Sequence, residues 1–392
     1  MADFLSTRLD KIQSAGNFRS LAGTVVGVDF WSNDYLGLAR TPNQVRDAGA
    51  PALERRSAER QGKLDEAGER PAYSGATGSR SISGDADAYH AIEQMIADYH
   101  GYPTATVFNS GYTANLGLLS CLLKRGDVIL YDELMHASCR DGIRLGLAGA
   151  VKFPHNDLEE TLLRIAAKER VTGQLFVLTE ARFSMDGDLA PLSAIAALCQ
   201  QYGPHLLVDE AHSTGLEGPQ GRGLVAALGL QQQVFATIVT YGKALGGHGA
   251  AVLGSPALRD YLINTCRPFV YTTGPAPEQW RSIAAGYAKL ESLHAERYAH
   301  LQQIITLFRS AMSVAGLASY LLPGDGPIQI VLLPGNEAVM AAETACRNAG
   351  LLVKGIRSPT VAAGRERLRI CLHSFNTPAE INRLTGCLAA II

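Results

Sequence analysis

The segment LLVDEAHSTG puts Asp209 at the end of an apolar run, with His212 three residues later. An acid at the end of a buried strand can pair with a buried cationic heteroatom. It can equally cap an ordinary βα loop. Further on, VTYGKALGGHGA holds Lys243 in a glycine-bounded loop behind the apolar run FATIV. Most lysines are surface charges. One set among Tyr241, Gly242, Ala244, Leu245, Gly246 and Gly247 is open to desolvation, and a desolvated amine is a nucleophile that forms Schiff bases. Upstream, FNSGYTAN places Ser110, Gly111 and Tyr112 between a strand pattern and a helix pattern. Free backbone N–H groups at such a helix start suit a phosphate. No GxxxxGK(S/T) motif is present, and SGATGS matches a dinucleotide fingerprint poorly. A phosphate cradle, a strand-end acid, a nearby histidine and a glycine-set lysine together fit pyridoxal phosphate. That cofactor needs an amine for attachment, an anion site and an acid opposite its ring nitrogen.

These residues need a scaffold. TATVF, DVILYD, AVKF, QLFVLTE, HLLVDEA, FATIVTY and GAAVLG read as strands, and 112–124, 137–147, 158–170 and 192–202 as helices. Such β/α alternation predicts a largely parallel sheet covered on both faces, with ligands at the C-terminal strand ends. Earlier in the chain, a short amphipathic helix opens the sequence, 46–70 and 86–99 read as helices, and 71–84 as a small-residue loop. A long helical stretch over 275–317 leads to short strands near 329–333, 351–355 and 367–372, covered by helices near 337–348 and 378–389. The predicted class is α/β, a large domain with a mostly parallel sheet plus a small C-terminal α+β domain. The expected division is an N-terminal arm over 1–45, a large cofactor domain over 46–275, linking helices over 276–317 and a small domain over 318–392.

Composition narrows the function classes. The 392 residues carry 35 Lys+Arg against 37 Asp+Glu, and 47% are apolar, which excludes a disordered chain and a bulk attraction to nucleic acid or anionic membranes. The Arg-rich stretch over 55–70 is crossed by acids and reads as a solvated helix face. Seven scattered cysteines without a CxxC argue against a disulfide framework and against a structural metal site. No signal-peptide pattern or long uncharged apolar run occurs, so a soluble cytoplasmic protein is expected.

The motifs NDYLGLA, GATGSRSISG, FNSGYTAN, DELMHAS, TEARFSMDGDLAPL, VDEAHSTG, TYGKALGG, FVYTTGPAP and IRSPTVAAGRERLRI occur in that order, from Asn33 almost to the C-terminus. In this the sequence resembles the α-oxoamine synthases, a branch of the fold-type-I pyridoxal-phosphate enzymes. The resemblance implies a PLP-dependent acyltransferase. Lys243 would hold the cofactor through its amine and move the α-proton of an amino acid. Asp209 would pair with the ring nitrogen, His212 with the ring hydroxyl, and His136 would stack on the ring. Ser110, Gly111, Tyr112 and Thr240 would hold the phosphate. Thr272 and Thr273 would reach the cofactor of a neighbouring subunit in a homodimer. Glu180 and Ser184 would line the cofactor face, and Asn33 and Arg369 would bind the substrate. The implied reaction is decarboxylative condensation of an amino acid with an acyl-CoA or acyl carrier protein. The tail motifs lean toward L-alanine and a pimeloyl donor in biotin synthesis. Glycine with acetyl- or succinyl-CoA, serine with a long acyl chain, and other long-chain amino-ketone syntheses are the alternatives within the family. A non-catalytic protein of the same fold would be expected to lack Lys243.

Read from the residues alone, several of these stay open. His136 also reads as a helix-start residue, and MDGD after Ser184 as a plain turn. Alternation on RLRICL puts Arg367 and Arg369 on one face and does not choose between them. Thr77 stands where the resemblance leads one to expect a glycine.

Overall fold

The computed structural model describes residues 3–14, 18–19, 21, 23–40, 75–166 and 172–392. The helix expected over 46–70 and the first part of the loop over 71–84 lie outside them. The chain divides into two compact units, one of Asn33–Gln302 with His373–Phe375, the other of Met1–Ser32, Gln303–Leu372 and Asn376–Ile392.

The first unit is built on a seven-stranded sheet. Strand β1 (Val28–Asp29) belongs to the other unit, and the large sheet takes β2 (Thr104–Phe108), β3 (Val128–Asp132), β4 (Gly149–Phe153), β5 (Leu175–Glu180), β6 (His205–Asp209), β7 (Val234–Thr240) and β8 (Ala250–Gly254). Their order is β2-β8-β7-β6-β5-β3-β4. Only β8 runs against its neighbours, β2 and β7. The remaining pairs are parallel, as the β/α alternation predicts. Val, Ile, Leu and Ala runs such as AAVLG are buried along their whole length, as a sheet covered on both faces requires. Helix α1 (Asp3–Ser14) belongs to the other unit, and this one takes α2 (Asp87–His100), α3 (Gly111–Leu122) and α4 (Ala137–Leu145). Side chains of α3 and α4, among them Leu118, Cys139 and Ile143, join Ile129, Leu178, Leu207 and Ile238 of the sheet in one apolar core.

The ends of α3 and α4 differ from expectation by a residue or two for local reasons. α3 begins at Gly111 because Ser110 and Thr113 form a reciprocal capping box. α4 stops before Gly146, whose N–H returns to the carbonyls of Gly142 and Ile143. Thr77 has φ 55°, so it occupies the left-handed region that a glycine adopts without cost.

The second unit holds a three-stranded antiparallel sheet of β9 (Ile328–Leu332), β11 (Lys354–Ile356) and β12 (Arg367–Cys371), in the order β11-β12-β9. Its other pair is β1 with β10 (Leu351–Leu352), in parallel. The single strand expected over 351–355 is therefore two strands in two sheets, separated by Val353. Alternation cannot reveal a change of partner. The helix Pro277–Val314 is 38 residues long and contributes to both units. No helix of the described residues is long and apolar enough to cross a membrane.

Candidate active site

Ten of the sequence-predicted residues line one cavity of about 250 Å³ at the C-terminal ends of the parallel strands. They are Asn33, Ser110, Gly111, Tyr112, His136, Glu180, Asp209, His212, Thr240 and Lys243.

The acidic wall comes from strand ends. Glu180 closes β5 and Asp209 closes β6, and the two are register partners in the parallel ladder. Asp209 is 4% exposed. Its Oδ1 accepts the Ala211 N–H at 2.9 Å and its Oδ2 accepts the Asn115 amide at 2.7 Å. The same Asn115 amide reaches Ser138 Oγ at 3.0 Å, and Ser138 Oγ lies 2.8 Å from His136 Nδ1. His136 is the N-cap of α4, and its Nδ1 also accepts the Ser138 N–H, so that nitrogen is an acceptor. Burial holds the His136 imidazole below its ordinary value, against the pull of Asp209. The His136 backbone N–H donates to Glu180 Oε1 at 2.7 Å. Burial first, then the charge of Asp209, pushes the Glu180 carboxyl up to about 8.

The opposite wall is a helix start and a loop. The first N–H groups of α3 have no partner within their helix. A Cβ on Gly111 would meet Thr240 Cγ2 at 2.7 Å, so only glycine lets the start of α3 sit this close to the end of β7. Lys243 lies in the connection from β7 to the antiparallel β8. Three backbone bonds close that loop, from Tyr241 N to Gly249 O, Gly247 N to Tyr241 O and Gly246 N to Lys243 O. Gly246 has φ +65°, and a Cβ there would lie 2.2 Å from Ala39 N. Lys243 Nζ reaches Thr240 Oγ1 at 3.5 Å. From the NDYLGLA segment, the Tyr35 hydroxyl lies 2.8 Å from His212 Nδ1 and donates to Asn33 Oδ1 at 3.1 Å.

Four predicted residues lie elsewhere. Ser184 is buried in the tight turn Phe183–Asp188, closed by Gly187 N to Phe183 O, and does not line the cavity. Thr272 lines a separate small pocket with Arg80 and Phe269, and the Thr273 carbonyl accepts the Asn109 amide. Arg369 is on β12 of the other unit, buried, with Nη1 3.0 Å from Cys371 Sγ. Sequence reasoning missed Asn115, Ser138 and His248, which also line the cavity. Asn115 had a signal, being one helical turn after Gly111 and polar within the apolar stretch ANLGLL. None of the seven cysteines forms a disulfide, and no group of metal-ligand residues occurs among the described residues.

The donor set fits pyridoxal phosphate. A helix start could offer N–H groups to an anion, a buried carboxylate could meet a cationic ring nitrogen, and an amine and three imidazoles border the same space.

Residues 26–388 match the family model of class I and II aminotransferases. An 8-amino-7-oxononanoate synthase of Marinobacter nauticus is 38% identical over 365 residues, covering 92% of this chain and 86% of its own. The synthase of Anaeromyxobacter dehalogenans is 37% identical over 409 residues, covering 100% and 96%. Among solved structures, the serine palmitoyltransferase of Sphingomonas wittichii superposes with a TM-score of 0.83 at 26% identity, covering 100% of this chain and 96% of its own. The 8-amino-7-oxononanoate synthase of Francisella tularensis superposes with a TM-score of 0.71 at 27% identity, covering 93% and 97%. Fold, cavity and relatives agree, and the chain belongs to the α-oxoamine synthases, within the fold-type-I pyridoxal-phosphate enzymes.

Proposed function

We propose that this cavity condenses an amino acid with an acyl thioester and releases CO₂. The observation that carries the reading is the convergence of Lys243, Asp209, His136, His212 and the start of α3 on one space. Bound there, the cofactor supplies an electron sink for negative charge at the amino acid's α-carbon. Asp209, held by Ala211 N–H and Asn115, would pair with the ring nitrogen. His136 would cover the ring, and His212, oriented by Tyr35, would meet the ring hydroxyl. The first N–H groups of α3 and Thr240 would hold the phosphate. Lys243 Nζ takes the α-proton and later returns one to the same carbon. The α-carbon then bonds to the thioester carbonyl carbon, the thiolate of CoA leaves, and the carboxylate departs as CO₂. Asn33 and Arg369 are assigned to the substrate on the family resemblance. Thr272 and Thr273 lie outside this chain's own cavity, which supports the reading that they serve a second subunit of a homodimer.

Two substrate pairs are supported by different observations. Identities of 38% and 37% to 8-amino-7-oxononanoate synthases favour L-alanine with a pimeloyl thioester. The fuller superposition on serine palmitoyltransferase, 0.83 against 0.71, favours another α-oxoamine pair such as serine with a long acyl chain. Alanine, glycine and serine presented separately with a panel of acyl-CoAs, with CoA release and product mass followed, decide between them. Turnover of alanine with pimeloyl-CoA supports the first pair. Turnover of serine with a long acyl-CoA supports the second. No CoA release with any pair overturns the reading.

A further inference from the structure

Next to the cavity, and outside its lining, one imidazole ties together three consecutive loops. His155 follows β4. Its Nδ1 lies 3.1 Å from both carboxylate oxygens of Asp132, at the end of β3. Its Nε2 lies 2.9 Å from Asp188 Oδ2, in the turn after β5. Ionised carboxylates only accept, so a ring that reaches both presents a proton on each nitrogen. Asn156 doubles both links, its N–H donating to Asp132 Oδ2 at 2.8 Å and its amide to Asp188 Oδ2 at 2.9 Å. The ring stands edge-on to Phe183, 4.4 Å between centroids.

The link to the cavity runs through Asp132, which is fully buried. Its Oδ1 accepts the Leu134 N–H at 2.8 Å and its carbonyl accepts the Met135 N–H at 3.1 Å. That short turn delivers His136 to the cavity. Without the cation, the fully buried Asp132 carboxylate would lose its counter-charge while facing a second acid, the half-buried Asp188, and neither loop would keep its place.

We propose that His155 is a positioning residue for the reaction, an imidazolium clamped between Asp132 and Asp188 that fixes the loop carrying His136 and the turn carrying Ser184. This rests on the reading above that His136 faces the cofactor. Burial works against the charge, but the hydrogen bonds and charges of Asp132 and Asp188 outweigh it and push the imidazole up to about 10. Glu133, whose carboxylate accepts the His155 backbone N–H at 3.2 Å, adds a third acid at the same loop.

Three measurements test it. In the wild-type holoenzyme, nitrogen NMR of labelled histidine should find both His155 ring nitrogens protonated at about pH 8.5, where an ordinary histidine is neutral. A neutral ring there overturns the proposal. In His155→Gln, kcat per bound cofactor should fall about tenfold, with KM for the amino acid changed less than about twofold. The visible circular dichroism of the bound cofactor should shrink with it. Lower thermal stability with unchanged kcat and dichroism would make the clamp merely structural and overturn the proposal. Asp188→Asn keeps the shape and removes one charge. It should move kcat and dichroism in the same direction by a smaller factor, and it decides the matter should the glutamine variant not fold. If the wild type binds no cofactor, the proposed function fails while the doubly protonated ring is still found or not found on its own.

Discussion

The two walls of the cavity are built differently. Glu180 and Asp209 stand at the ends of neighbouring parallel strands, 3% and 4% exposed, each held by hydrogen bonds from another segment. Lys243 stands on a loop outside the sheet, where β7 turns back into the antiparallel β8, and its place is set by the loop's own backbone bonds. On the proposed roles, the difference matches what each side must do. An acid that stabilises charge in a fixed place gains from rigidity, because preorganised dipoles need no rearrangement during reaction. An amine that both holds the cofactor and moves a proton has to change partners, and a glycine-set loop allows this. If that contrast is right, damage to the two walls should give different signatures.

The largest effect is expected from Lys243→Ala. Loss of the proton-carrying amine should lower kcat by about a thousandfold or more. The acidic wall and the α3 start should still hold the cofactor without a covalent bond. Mass spectrometry after borohydride reduction checks this. An adduct in the wild type and none in the variant, with cofactor still co-purifying, fits the contrast. Complete loss of cofactor would mean that the lysine loop, and not the opposite wall, sets the seat.

Asn115→Ala should act more weakly and on the other side. Its amide joins Asp209 to Ser138 and so to His136. Truncation leaves a buried carboxylate oxygen and a hydroxyl short of a partner, a cost of about 1–3 kcal/mol in stability. We expect kcat to fall about tenfold while the covalent adduct persists. A urea midpoint and a single-turnover rate measure the two consequences separately. An unchanged rate would detach Asn115 from the chemistry.

How much of this was legible follows from where each residue gets its position. Asp209 and Lys243 announce themselves because an apolar run ending in an acid, and a lysine among glycines, are local patterns. Helix 192–202 was readable to the residue because its period and its Gly203 stop are local too. Asn115 and Ser138 were missed because their role exists only where α3 and α4 meet the end of β6. Ser184 follows the same logic in reverse. The MDGD pattern specifies a turn, Gly187 at φ 79° makes it, and the turn keeps the serine out of the cavity lining. Arg367 and Arg369 remain on one face of β12, both buried, so burial does not separate them either.

The smallest effect on rate, and the sharpest test of the rigid wall, comes from Glu180→Gln. An ordinary glutamate loses its proton near 4.5, whereas Glu180 in the folded protein holds it to about 8. Between those values the native state binds a proton that the unfolded chain has released. Stability from this group is therefore full below the lower value and is lost as pH rises through the higher one, with a slope of up to about 1.4 kcal/mol per pH unit. Glutamine is neutral throughout and can still accept the His136 N–H through its amide oxygen. The slope should vanish in the variant, so Glu180→Gln should gain on the wild type as pH rises. Urea midpoints of the cofactor-free proteins at about pH 5.5 and about pH 8 measure it. Parallel pH dependences in the two proteins would show that Glu180 is already ionised beside Asp209.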